Sequence, residues 1–337
     1  MQLPRPRGPL SERVFAEMLS PDPKPVAVEP LPATGDVLAD EDLQVTLWAL
    51  YELSFRGFED VDPDHEWSPG LITTRRVLEE AFEAALRSLT DDAVDRALEE
   101  HRRTTEQVLA VIDDVDDPRL ARYLQREATE EQYREFLVHR SIYHLKESDP
   151  QAWAIPRLEG GPKVALAELQ YDEFGGGRAD RLHSTLFAKA LEGAGLEPAY
   201  GAYVDVVPAL TLATNNAMSF FGLHRRLRGA IMGHLAAFES TSSLPCRRYC
   251  GGAARLGFDG RVNDYFDEHV EADAVHEQLA VRTICQQLVD QEPALQRDVL
   301  LGASACVRLD ALAAAPMLEA WQQGRSSLLD TPQEEVA

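Results

Sequence analysis

Asp267-Glu268-His269-Val270-Glu271-Ala272-Asp273-Ala274-Val275-His276-Glu277 lies inside a longer stretch, residues 261–289, whose apolar positions recur at helical spacing. The same period runs outward in both directions. Toward the C-terminus it covers roughly 292–323, and toward the N-terminus 216–240, 198–213, 179–194 and 162–172. Further back, Thr129-Glu130-Glu131 opens a helix through Leu145, and Asp149-Pro150 breaks the pattern. Leu43, Leu47, Leu50, Tyr51 and Phe55 form an i, i+4, i+7 stripe behind Asp40-Glu41-Asp42, and Leu71 to Leu89 reads as the next helix. Thr90-Asp91-Asp92 predicts the N-cap of another helix through His101. No stretch alternates with period two for long enough to make a strand, so the fold is expected to be all-α.

The division expected is a flexible or surface-hugging Pro-rich arm (1–38), auxiliary helices (39–128), a main helical domain (129–323) and a disordered tail (324–337). The formal charge of -24, from 33 Lys+Arg against 57 Asp+Glu, argues against a nucleic-acid partner, which needs a positive face. No run approaches the roughly 20 apolar residues of a membrane span, and no apolar signal-peptide core is visible, so a cytoplasmic location without a membrane partner is expected. Cys246, Cys250, Cys285 and Cys306 are too few for a disulfide scaffold and lack the second pair that a zinc site needs.

On a helix, His269, Asp273 and His276 fall at i, i+4 and i+7, which stacks two imidazoles and a carboxylate on one narrow face. That stripe suits a metal ion, although a solvated polar face has the same spelling. A metal pair needs donors from other helices as well. Glu239 ends the apolar run Met232-Gly233-His234-Leu235-Ala236-Ala237-Phe238, and alone reads as a helix-end surface carboxylate. Glu173 and His183 flank Gly175-Gly176-Gly177, which either distorts a helix or forms a plain loop between two. Glu147 shares its segment with His139 and His144, and periodicity does not decide which of the three points inward.

Together these segments resemble the heme-oxygenase-like diiron oxidase family of iron-containing redox enzymes, over roughly residues 130–320. Region 43–130 also looks like the N-terminal helices of its longer members. The resemblance implies a heme-oxygenase-like helical bundle with additional N-terminal helices. It carries Glu147, Glu173, His183, Glu239, His269, Asp273 and His276 over as ligands of two Fe ions, with O2 as co-substrate, and Glu173 or Glu239 as a bridge. Glu147 is the least secure of the set, with Glu135 and Glu168 as competitors. Imidazole and carboxylate donors together suit iron and leave positions open for O2.

The spacings are similar to those of the N-oxygenating members. The resemblance to those members implies a small-molecule substrate of amine or amino-acid type, oxidised at nitrogen in a secondary-metabolite pathway. Oxidative C–C cleavage or desaturation of an amino or fatty acid is the alternative within the family, and a metal-free helical interaction module the alternative outside it. An external electron donor and a homodimer are both compatible with the resemblance. Arg178 and Arg181 are candidates to clamp a substrate carboxylate, and Tyr171, Phe174, Phe220, Phe221 and Phe238 to line its pocket. Surface solvation is the favoured reading of the arginines, and core packing explains the aromatics equally well.

Overall fold

The computed structural model describes residues 1–28, 37–100, 102–115 and 119–330, with the side chains of 271–275 outside the description. Helices account for its regular structure, and no strand occurs among the described residues. In chain order they are α1 (Pro9–Met18), α2 (Glu41–Glu52), α3 (Pro69–Glu99), α4 (Thr104–Asp113), α5 (Leu120–Arg126), α6 (Glu130–His144), α7 (Asp149–Ala152) and α8 (Gly160–Glu173). There follow α9 (His183–Gly193), α10 (Ala209–Leu223), α11 (Arg228–Thr241), α12 (Ser243–Leu256), α13 (Gly260–Gln278), α14 (Gln287–Gln291) and α15 (Gln296–Gln322).

Local chemistry sets several of the boundaries. Asp40 caps α2 by accepting from the Leu43 amide at 2.8 Å. Thr129 and Gln132 form a reciprocal capping box at the start of α6. Thr90 does not cap a new helix: its hydroxyl donates back to the Leu86 carbonyl at 2.9 Å, and α3 continues unbroken to Glu99. Residues 198–203 are not helical, and the expected helices over 198–213 and 216–240 resolve into α10 and α11 with a break at His224–Leu227. After α13 the chain continues as a π-helical segment, Leu279–Gln286, which rotates the following face relative to the His269 stripe.

At the centre α11 crosses α15. A Cβ on Gly233 would lie 1.8 Å from the Val299 carbonyl oxygen, and one on Gly302 would lie 1.8 Å from that of Ala230. Only hydrogen at both positions lets the backbones approach this closely. With the preceding turn, α15 (Pro293–Gln322) is long and apolar enough to cross a membrane by length and composition, which corrects the expectation that no such run exists. Here it packs inside the bundle, against α11, α3, α4 and α10.

Two apolar clusters form the core. The larger joins Trp48, Leu78, Phe82 and Val108 from α2, α3 and α4 to Phe220, Ala236, Ile284 and Leu300, so the auxiliary helices share their core with the main bundle. The smaller joins Phe136, Phe187, Tyr249, Tyr265 and Phe266. Both ends of the chain are more tied down than expected. Val14, Phe15 and Met18 bury one face of α1, Arg5 N donates to Asp205 at 2.8 Å, and residues 29–36 lie outside the description. Ser327 donates to Glu135 through both its amide and its hydroxyl, and Leu329 N donates to the Val206 carbonyl, while 331–337 lie outside the described residues.

Candidate metal centre

α8 ends at Glu173 because three glycines follow with φ of 75°, 61° and 80°, a left-handed run that L side chains resist. The backbone also folds tightly there, since a Cβ on Gly175 would meet the Arg181 carbonyl carbon at 2.6 Å. The chain therefore turns back, and α9 begins at His183 with its imidazole facing the residue that ended α8. His183 Nδ1 stands 3.0 Å from Glu173 Oε2. Of the two readings of the glycine run, the loop between separate helices is the observed one.

Glu147 comes from the turn after α6. The next residue, Ser148, has φ of 68°, the one positive value outside glycine among the described residues, and Gln170 holds its hydroxyl at 3.0 Å. Tyr265 donates to Glu147 Oε2 at 2.8 Å. The His144 Nδ1–H is shared between Glu147 Oε1 at 3.1 Å and the Tyr265 oxygen at 2.6 Å. All three side chains are buried.

Tyr265 and His269 are one helical turn apart on α13, and His276 lies two turns further on. His269 donates through Nδ1 to the Tyr265 carbonyl at 2.8 Å, so Nε2 is left facing Glu147 Oε1 at 3.5 Å. His276 reverses the roles: Nε2 meets Asp172 Oδ2 at 3.3 Å, and Nδ1 faces Glu239 Oε2 at 3.4 Å and Glu173 Oε1 at 3.6 Å. In each ring one nitrogen is anchored by an acceptor, which fixes ring orientation and tautomer, as is usual around protein-bound metals. Asp273 is on the same helix, but its side chain lies outside the described residues.

The remaining nitrogens decide what the site is suited to hold. His183 Nδ1, His269 Nε2 and His276 Nδ1 are all buried and have no hydrogen-bond partner. Buried polar atoms are rarely left so, and these three, each 3.0–3.6 Å from a carboxylate oxygen, are placed as metal donors are. The donor atoms of Glu147, Glu173, His183 and His269 lie within 4.8 Å of one another, and so do those of Glu173, Glu239 and His276. Glu173 belongs to both groups, and the imidazole and carboxylate donor set is compatible with iron.

Electrostatics lead to the same demand. Burial lowers imidazole basicity, yet the carboxylates overcome it: Glu147 brings His269 up to about 10, and Glu239 brings His276 up to about 9. His183 is raised as well, against its burial, by Glu173. Burial would raise the Glu147 carboxyl, but His144 and His269 hold it well below the ordinary range. The pocket favours positive charge wherever it can be accommodated.

A cavity of about 520 Å³ leads from exposed Leu244 to His144, Tyr265 and His269. Phe238 borders it. The other expected pocket residues sit elsewhere. Tyr171 is exposed with its hydroxyl donating to Gly176 O, Phe174 is exposed beside it, and Phe220 and Phe221 are in the core. Arg178 is exposed, and Arg181 is bound to Glu268, so neither faces the cavity.

Residues 134–311 match the family model described as iron-containing redox enzyme. The chain is 29% identical over 157 residues to nitrosourea synthase of Streptomyces achromogenes subsp. streptozoticus, a match covering 47% of this chain and 33% of that protein. The chain thus spans about a third of the length of this curated relative. With a family match over more than half of its residues, and buried imidazoles and carboxylates gathered inside the matched region, the chain belongs to the iron-containing redox enzyme family.

Proposed function

We propose that the chain is a non-heme diiron oxygenase that uses O2 to oxidise a nitrogen of a small amine or amino-acid-type metabolite in a secondary-metabolite pathway. The observation that carries this reading is the shared position of Glu173 between two donor groups. Glu147, His183 and His269 would hold one iron, Glu239 and His276 the other, and Glu173 would bridge them. The family resemblance carries Asp273 over as a further ligand. When bound, the iron pair supplies the redox chemistry and the open positions for O2, and an external donor supplies the electrons that the substrate does not.

The protein's own residues supply placement. Tyr265 and His144 restrain Glu147 from two sides, and Asp172 fixes the ring of His276. Phe136, Tyr143 and Phe238 give the cavity beside His269 an apolar wall. Nitrogen as the target rests on the relative, since a nitrosourea carries an oxidised nitrogen. The test is to expose the Fe(II)-loaded protein to isotopically labelled O2 with panels of amino acids, amines and fatty acids. Labelled oxygen on nitrogen supports the reading, whereas cleavage or desaturation of a fatty acid alone overturns it.

A further inference from the structure

The cavity that ends at His269 is apolar over much of its wall, but four charged side chains border it: Arg140, Arg248, Asp113 and Asp310. Two are positive and two negative. The two histidines away from the metal centre add no charge, because burial holds His139 at about 3 and His234 at about 4. A chamber balanced in this way favours neither a net anion, such as a fatty acid, nor a net cation, such as a polyamine.

Arg140 and Asp310 meet through one contact, Nη1 to Oδ1 at 3.0 Å, and both border the cavity. Arg140 also hydrogen-bonds the Tyr249 hydroxyl; with five N–H donors on a guanidinium and about four acceptor positions on a carboxylate, these contacts still leave donors on Arg140 and acceptors on Asp310 for another molecule. A lone carboxylate placed here would face Asp310, and a lone ammonium would face Arg140. A head carrying both charges satisfies both residues at once. Asn215 and His234 border the same cavity, and each is buried with a polar atom that has no partner.

We propose that Arg140 and Asp310 form the recognition site for the α-amino-carboxylate head of an amino-acid substrate, whose side-chain nitrogen reaches toward His269. This rests on the reading of the chain as an N-oxygenating enzyme. Arg140 precedes His144 by four residues on α6, about 6 Å along the helix axis. His144 in turn contacts Glu147, so the same helix end that carries the head-group residue leads to the metal-site carboxylate. The guanidinium takes the carboxylate, in the planar arrangement that arginine favours, and Asp310 takes the ammonium.

The test is calorimetric binding to the Fe(II)-loaded protein under argon, where no turnover occurs. The ligands are L-lysine, L-arginine and L-histidine, their decarboxylated counterparts cadaverine, agmatine and histamine, and decanoate. At least one amino acid is expected to bind roughly 10- to 100-fold more tightly than its decarboxylated partner, the factor of a charged hydrogen-bonded contact. R140M should abolish that preference and R140K should retain part of it, with helix content and iron uptake monitored as controls. Because the paired ligands are compared on the unaltered protein, a variant that fails to fold does not remove the test. Equal binding of the two members of each pair, or no binding by any, overturns the head-group site while leaving the oxygenase reading intact. Binding of decanoate alone overturns both.

Discussion

Lys146 Nζ lies 2.9 Å from Glu52 Oε2, with the lysine side chain 1% exposed and the glutamate fully buried. Tyr200 donates to the same carboxylate oxygen at 2.8 Å. This contact ties α2 to the turn bearing Glu147, one residue along the chain. Removing one member of a buried pair strands the other charge without solvent, at a cost of about 3–5 kcal/mol, whereas replacing both with apolar residues is much milder. Chemical denaturation should find Glu52→Leu and Lys146→Met each strongly destabilised and the double variant more stable than either. A double variant as unstable as the sum of the singles would contradict this.

The crossing of α11 and α15 makes a second prediction. Gly233→Ala or Gly302→Ala places a methyl against a backbone carbonyl that has no rotamer to escape through. The expected loss is about 3 kcal/mol, near the upper end for overpacking. Because α11 carries Glu239, iron affinity should fall along with the melting temperature. Unchanged melting in both variants would mean that the helices do not approach this closely.

Acid sensitivity follows from His139 and His234, whose folded-state values near 3 and 4 lie below an ordinary histidine at about 6.5. Both bind protons more readily unfolded than folded. Their contribution to stability is therefore fully present above about 6.5 and is lost as pH falls toward their folded values, by up to about 1.4 kcal/mol per pH unit for each. His139 bonds Thr211 and Ser327, so His139→Gln can keep hydrogen-bonding capacity without the titration. Melting temperatures between pH 7 and pH 4.5 should fall less steeply for this variant than for the unaltered chain. Identical slopes would contradict the assignment.

Asp172 has its oxygen 3.3 Å from His276 Nε2, on a half-exposed side chain at the end of α8. Asp172→Asn should lower iron affinity about 10- to 100-fold, the range for losing a partner of a metal-bound histidine, with little change in melting temperature of the iron-free chain. Competition with a chelator of known affinity measures it. An unchanged affinity would show that His276 needs no such orientation.

The helical period on α13 made His269 and His276 legible as one face, and the glycine run made Glu173 and His183 legible as neighbours. Sequence did not disclose contacts between elements distant along the chain. Asp172 was passed over because it adjoins Glu173, and only the end of α8 determines that both reach His276. Tyr265 sits four residues before His269, so the same spacing that exposed the histidines contained it; its polar role appears only with Glu147 in view. Arg181 looked like a clamp until Glu268, on another helix, occupied it. Fold boundaries were misread where a side chain served the backbone in an unexpected way, as Thr90 does for Leu86.

The central claim is that the imidazoles without partners, together with Glu147, Glu173 and Glu239, hold two irons. Anaerobic Fe(II) titration of the iron-free protein, with stoichiometry read by metal analysis after gel filtration, tests it most directly. Two irons per chain are expected, about one in His269→Ala or in His276→Ala, and near-complete loss in Glu173→Ala, which affects both groups at once. Full iron uptake by Glu173→Ala, or by the double variant of His269 and His276, would contradict it.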